Sequence, residues 1–203
     1  MAIVFDSDAG TITGLSVGGL PDGIVDAGTL ATNSVDSAEL INGAIDAAHL
    51  ASGVGGKVLQ VVSSNLTTQM TSSSTSYVDT GLTATITPSA TSSKVLVLCN
   101  VCFTYSGDSN GYLILLRDTT EINSGSGGTV NAWAGLNSNA TSFAYSAPQQ
   151  GCNYLDSPST TSATVYKVQA KSQSPSYSFG INRRVLDTYF GIASNITLME
   201  IAG

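Results

Sequence analysis

The spacing of the apolar positions changes near residue 57. Between residues 23 and 54 large apolar side chains recur on a beat of ten, in IVDAGTLA (24–31), SVDSAELI (34–41) and AIDAAHLA (44–51). Val25, Val35 and Ile45 hold the first apolar column, and Leu30, Leu40 and Leu50 the second. Asp26, Asp36 and Asp46 follow the first column and suit an N-cap; Glu39, three after Asp36, has capping-box spacing. Gly23, Asn33, Gly43 and Gly53 mark the joints, where a positive φ is tolerated. Each unit thus reads as a short extended piece followed by about one helical turn. Such a unit has two large apolar side chains and nothing of its own to bury them against. The expected solution is a homotrimer, three parallel chains with Val25, Leu30, Val35, Leu40, Ile45 and Leu50 facing a shared axis. A disordered linker is the competing reading, but linkers are poor in Val, Ile and Leu.

From Lys57 onward the beat is two, the period of a strand with one buried face. KVLQVV (57–62) predicts a strand, and SYVDTG (76–81) with LTATITP (82–88) a strand, a turn and a strand. KVLVLCNVCFTYS (94–106) is the most apolar segment and predicts a central buried strand, followed by GYLILLRD (111–118). TSFAYSAP (141–148), SATVYKVQAKS (162–172), SYSFGINRR (176–184) and TYFGIASNITLMEI (188–201) complete the set. QQGCNYLDSPSTTS (149–162) reads as a strand plus a loop, or as a recognition segment. Pro88, Pro148, Pro158 and Pro175 fall between the strands. Many short strands without a helix predict an all-β fold, a β-sandwich of jelly-roll type. The expected domains are therefore a Gly-rich lead-in (1–22), the repeat stalk (23–56) with its hinge at SGVGGK (52–57), and a globular knob (57–203). Ile3, Val4 and Phe5 open the lead-in and fit a plug for a socket on a partner protein, or the ordinary hydrophobic start of the oligomer axis.

Composition narrows the partners. Only 10% of the residues are charged, the net charge is −7, and there are seven Lys and Arg in all. So few cations exclude nucleic-acid binding by phosphate neutralisation, and the acidity argues against docking on anionic membranes. The run 95–99 is far too short to insert into a bilayer. The start, MAIVFDSDAG, lacks the basic and apolar regions of a secretory signal. Cys99 and Cys102 lie three apart and point to opposite faces of their strand, while Cys152 lies elsewhere, so free buried thiols are expected. Free thiols fit folding in a cytoplasm. A chain made in a cytosol but composed like an exterior fibre implies release by lysis, and so a virus particle.

Catalytic chemistry finds little footing. The one histidine, His49, sits in the repeat. The cysteines lack zinc-ligand spacing, and SGSGG (124–128) lacks the lysine of a phosphate loop. Asp118, Glu121, Asp156 and Asp187 are the acids that a sugar-cleaving pair would draw on, although isolated surface acids are commoner. The expectation is a non-enzyme without cofactor or metal. Recognition fits better. The polar segment 123–142 carries the only tryptophan, Trp133, with Asn137 and Asn139 beside it, and Tyr154 lies in the next segment. An aromatic among amide and hydroxyl groups suits stacking on sugars, and these four are the candidate host contacts. Burial of Trp133 in the core or a subunit interface is the alternative.

The VDxxxL repeat and the lead-in GLSVGGLPDGIVDAGTLA resemble the stalks of short fibre proteins of tailed phages, marine and cyanobacterial ones especially. The segments ITPSATSSKVLVL (86–98), YLDSPSTTSATVYKVQ (154–169), GINRR (180–184) and SNITLMEI (194–201) resemble the same family. The resemblance implies a homotrimeric structural protein on the virion exterior, with no catalytic residues. It implies a second virion protein as partner, either a tail adaptor or the major capsid protein, and allows a host surface glycan as a further one. Tail fibre is the first reading. Capsid decoration or head fibre at three-fold positions is the second, kept close by the shortness of the stretch ahead of the knob, where even fully extended about fifty residues reach at most about 165 Å.

Overall fold

The structure is a computed structural model that describes residues 4–6, 8, 11–13, 45, 57–137 and 146–203. The chain divides into two units, residues 1–55 and 56–203. In the first, β1 (Val4–Asp6) and β2 (Thr11–Thr13) pair antiparallel, with Phe5 opposite Ile12. The proposed plug therefore contributes Val4 and Phe5 to a two-stranded ladder; Ile3 lies outside the described residues. Ile45 stands in a bend and is exposed in the single chain. Val25, Leu30, Val35, Leu40 and Leu50 lie outside the described residues, and so does the rest of the repeat.

The second unit is all-β, with no helix among the described residues. Its strands are β3 (Val58–Leu66), β4 (Met70–Ser72), β5 (Val78–Ile86), β6 (Lys94–Tyr105), β7 (Asn110–Arg117), β8 (Thr120–Ile122), β9 (Ala134–Asn137), β10 (Gln149–Asp156), β11 (Thr164–Ser172), β12 (Phe179–Ile181) and β13 (Ser194–Ile201). They form two antiparallel sheets. In the first, β10 runs along one side of β6, and β13 and β12 lie end to end along the other. Beyond these come β3, paired to β13, and β4, paired to β12. In the second, β5 pairs β11, β11 pairs β7, and β8 and β9 share the outer side of β7.

Alternation explains the packing. On β6 the odd positions Val95, Val97, Cys99, Val101, Phe103 and Tyr105 enter the core, where they meet Leu82, Leu113, Leu115, Tyr166, Val168, Ile196 and Leu198 from the other strands. Each large aliphatic side chain buried this way contributes about 1.5–3 kcal/mol. Cys99 is in that core, whereas Cys102 is buried on the opposite face. All three cysteines are free, but Cys152 is not remote from the others: it pairs directly opposite Cys99 across β10 and β6. The hydrogen bond between these two thiols and burial together hold Cys99 far above the ordinary thiol range.

Several predicted elements shift. Residues 76–88 contain one strand, Val78–Ile86, not two; Gly81, at φ 90°, sits within β5 rather than in a turn. There three residues of β5, 80–82, face the single Val168 of β11, and Thr80 Oγ closes the bulge by donating to the Val168 carbonyl at 2.8 Å. The last predicted strand begins only at Ser194, and the one before it shrinks to Phe179–Ile181. Of the predicted strand 141–148, residues 146–148 are irregular and the rest lie outside the described residues.

The two ends of the sandwich differ. At one end Ala202 donates its N–H to the Lys57 carbonyl at 2.8 Å, where the chain enters β3. The connection from β5 to β6 lies at this end, because Ser89 bonds to Glu200. At the other end β6 finishes at Tyr105, and residues 182–193 fold over the outer face of its sheet. That covering segment is why Cys102 and Thr104, which point out of the core, are still buried.

Candidate recognition surface

The covering segment carries the most exposed aromatic group among the described residues. Its base is closed by Asn182, whose carbonyl accepts the Ile192 N–H at 3.2 Å. Asn182 also accepts the Ser194 hydroxyl at 2.5 Å and donates its amide to the carbonyls of Leu66 and Thr68 at 2.8 and 3.1 Å. One side chain thus binds the break between β3 and β4 to the break between β12 and β13. It stands at φ 61°, a conformation that Asn tolerates better than most residues.

From this base the chain runs through Arg183 and Arg184 to Tyr189 and Phe190. The Arg183 carbonyl accepts from Thr104 Oγ at 3.0 Å, fixing the start of the loop to β6. The Arg184 guanidinium lies 4.8 Å from the Tyr189 ring centre and 4.3 Å from that of Phe190. The two rings meet edge to face at 5.4 Å. Asp187 pairs with Arg184 at 3.3 Å and accepts the Tyr189 N–H at 3.0 Å, while Gln69 donates to the Phe190 carbonyl at 3.0 Å. The loop is therefore braced from inside, yet Tyr189 is 77% exposed and Leu186 stands out beside it. A braced aromatic ring presented to solvent can stack on a sugar ring or a peptide at small entropic cost.

The predicted contact residues are placed differently. Trp133 is half-buried against the core, and its indole N–H donates to the Gly151 carbonyl at 3.1 Å. Tyr154 is half-buried on the inward face of β10. The Asn137 backbone ends β9 opposite Asn110, and Asn139 lies outside the described residues. The structure ties Trp133 to the strand that bears Tyr154, but Tyr189, Phe190 and Arg184 belong to another loop. Sequence reasoning missed that loop because it assigned 176–184 and 188–201 to strands. The available sign was RRVLDTYFG (183–191), where two aromatics adjoin and no alternation holds.

The four acids do not gather at one site. Asp156 is buried beneath Arg117 and Tyr166 at the Lys57 end, Asp118 takes the Val165 N–H at 2.9 Å beside the same tyrosine, Glu121 lies on β8, and Asp187 is in the Arg184 loop at the other end. No cluster of three His, Cys, Asp or Glu suited to a metal occurs among the described residues. A dent of about 130 Å³ opens at the Gly81 bulge, lined by Asp79, Leu82, Thr83, Lys167 and Val168. Ordinary small-molecule sites begin at about 300 Å³, so it is too small to be one. Asp79 there is held below the usual carboxylate range, chiefly by the Gln169 amide and also by Lys167. No protein-family model matches the chain, and no curated protein matches it.

Proposed function

We propose that the chain is a structural virion protein, a trimeric tail fibre of a tailed phage. In this reading residues 1–22 grip another virion protein, residues 23–56 form a three-chain stalk, and residues 57–203 are a knob that touches the host. The strand order β3-β13-β6-β10 over β5-β11-β7-β9 is read as a jelly roll, an arrangement used by capsid and lectin domains. The observation that carries the proposal is the polarity of the sandwich. The chain enters at Lys57, and the braced Arg184–Tyr189–Phe190 group is presented at the opposite end. A knob on a stalk needs its contact surface there.

Two measurements test the reading. Sedimentation equilibrium of the full chain is expected to give three times 20.7 kDa, and Leu40→Asp to abolish or destabilise that assembly. A well-behaved monomer would end the proposal. The trimer is expected to bind the cells that the particle infects, and Tyr189→Ala to lose that binding while keeping the same melting temperature. Copy number in purified particles separates this from capsid decoration: tens of chains mean a tail appendage, hundreds a shell component.

A further inference from the structure

The outer faces of the two sheets are built on different rules. On the β5-β11-β7 sheet the outward Ile114 and Leu116 are buried although they point away from the core. Their cross-strand partners, Gln169 and Lys167, lie over them with long polar side chains. Lys167 pairs with Asp79, and Lys171 lies over the rings of Tyr77 and Tyr112 at 4.5 and 5.7 Å. That face supplies its own polar cover, as a solvated antiparallel sheet should.

Among the described residues, the outer face of the other sheet has no such cover at its Lys57 end. The register places Val61 opposite Met199, Met199 opposite Leu96, and Leu96 opposite Leu155. These four make an unbroken apolar row across all four strands, with Leu59 beside it on β3 and Leu98 on β6. Leu59 is 50% exposed, Val61 57% and Leu155 49%. Of the outward positions on β3, β13, β6 and β10, Lys94 alone is charged. Depletion of charge around large apolar side chains is the mark of an interface core. The other end of this face is already covered by residues 182–193, so the bare part is confined to the end where the chain enters.

We infer that this row is where neighbouring copies of the knob pack against one another. The inference rests on the three-chain reading proposed above, and it names the surface that reading leaves unassigned. The position of the row selects a second copy as occupant. Lys57 follows Leu50, the last position of the repeat's second apolar column, by only seven residue steps. Fully extended they span at most about 25 Å. Copies joined at Leu50 must therefore hold their β3 strands close together, and Leu59 and Val61 begin two residues after the tether ends. β3 is also an edge strand, whose outer side chains another copy can approach from the side.

Hydroxyl-radical footprinting of the full chain, read by mass spectrometry, tests this with an internal standard. Leu186 is 55% exposed, close to Leu59 and Leu155, so in a single chain the three leucines should react at similar rates. The expected result is a trimer by sedimentation in which Leu59 and Leu155 react several-fold more slowly than Leu186. Val61→Glu, at an exposed edge position that need not disturb folding, should raise both toward the Leu186 rate; Leu155→Lys should do the same for Leu59. A trimer with three equal rates overturns the inference and leaves the fibre reading intact. Protection that survives both substitutions also overturns it, since something else then covers the row. A monomer overturns both readings together.

Discussion

Tyr166 donates its hydroxyl to Asp156 Oδ2 at 2.7 Å, joining the two sheets at the Lys57 end of the sandwich. Arg117 meets both oxygens of the same carboxylate, at 2.9 and 3.0 Å. Burial and the neighbouring Asp156 charge push the Tyr166 hydroxyl well above its ordinary range, so it remains a donor. Tyr166→Phe removes one hydrogen bond and should cost about 1 kcal/mol. Asp156→Ala strands both the hydroxyl and the guanidinium and should cost about 3 kcal/mol, with Arg117's partial exposure holding it at the low end. Urea unfolding of the two variants compares them. Equal losses would mean that the Arg117 contact adds nothing beyond the Tyr166 hydrogen bond.

Glu200 gives the fold a pH dependence. It is fully buried, and burial alone would raise its pKa. The Ser89 hydroxyl and N–H, at 2.6 and 2.7 Å, and the Gln60 amide, at 3.1 Å, outweigh this and hold it below its ordinary 4.5. A folded pKa below the unfolded one adds stability that is complete above pH 4.5 and is lost as pH falls through the folded value. Melting curves from neutral to acid pH should therefore fall more steeply for the native chain than for Glu200→Gln. Parallel curves would show that Glu200 is not the group responsible.

Much of the sandwich was legible because burial on one face writes itself as alternation. In β6, β7 and β11 the sequence boundaries and the observed ones agree to within two residues. The Gly81 bulge was not legible, since a glycine between two alternating runs marks a turn and a bulge equally well. Strands β4, β8 and β9, at three or four residues, are too short to show a period. The pairing of Cys99 with Cys152 depends on register between strands fifty residues apart in sequence, which no local pattern encodes. The Arg184 loop was hidden for a related reason. Its aromatics look like strand residues until Asn182 is seen to close a loop beneath them.

Gly111 is required by a close approach. A Cβ there would lie 2.6 Å from Tyr105 Cδ2 and 2.9 Å from Phe103 Cζ. Neither ring can readily yield, because Tyr105 is tethered to Ser172 at 2.8 Å and Phe103 packs on Phe179. Gly111→Ala should destabilise the fold by about 1–3 kcal/mol. Gly151, on the exposed face of β10, has open space where its Cβ would go. Gly151→Ala should be neutral or slightly stabilising, by about 0.5 kcal/mol. Thermal unfolding of the pair checks the contrast, and an equal effect at both sites would defeat the packing argument.

Asn182 should control the Arg184 loop more than any residue within that loop. Replacing it with Gly keeps the positive φ but gives up the bonds to Leu66, Thr68 and Ser194. Replacing it with Ala gives up the same bonds and adds the strain of a Cβ at φ 61°. Asn182→Ala should therefore cost about 1 kcal/mol more than Asn182→Gly. Both should release the base of the loop and speed trypsin cleavage after Arg183 and Arg184, which the native contacts of Thr104 and Asp187 restrain. Tyr189→Ala removes an exposed ring and should leave stability and cleavage nearly unchanged, because the closure at Ile192 does not depend on it. If Tyr189→Ala loosened the loop as much as Asn182→Gly, the aromatic cluster would itself be the brace. Its exposed ring would then be a structural part of the loop rather than a surface held ready for a partner.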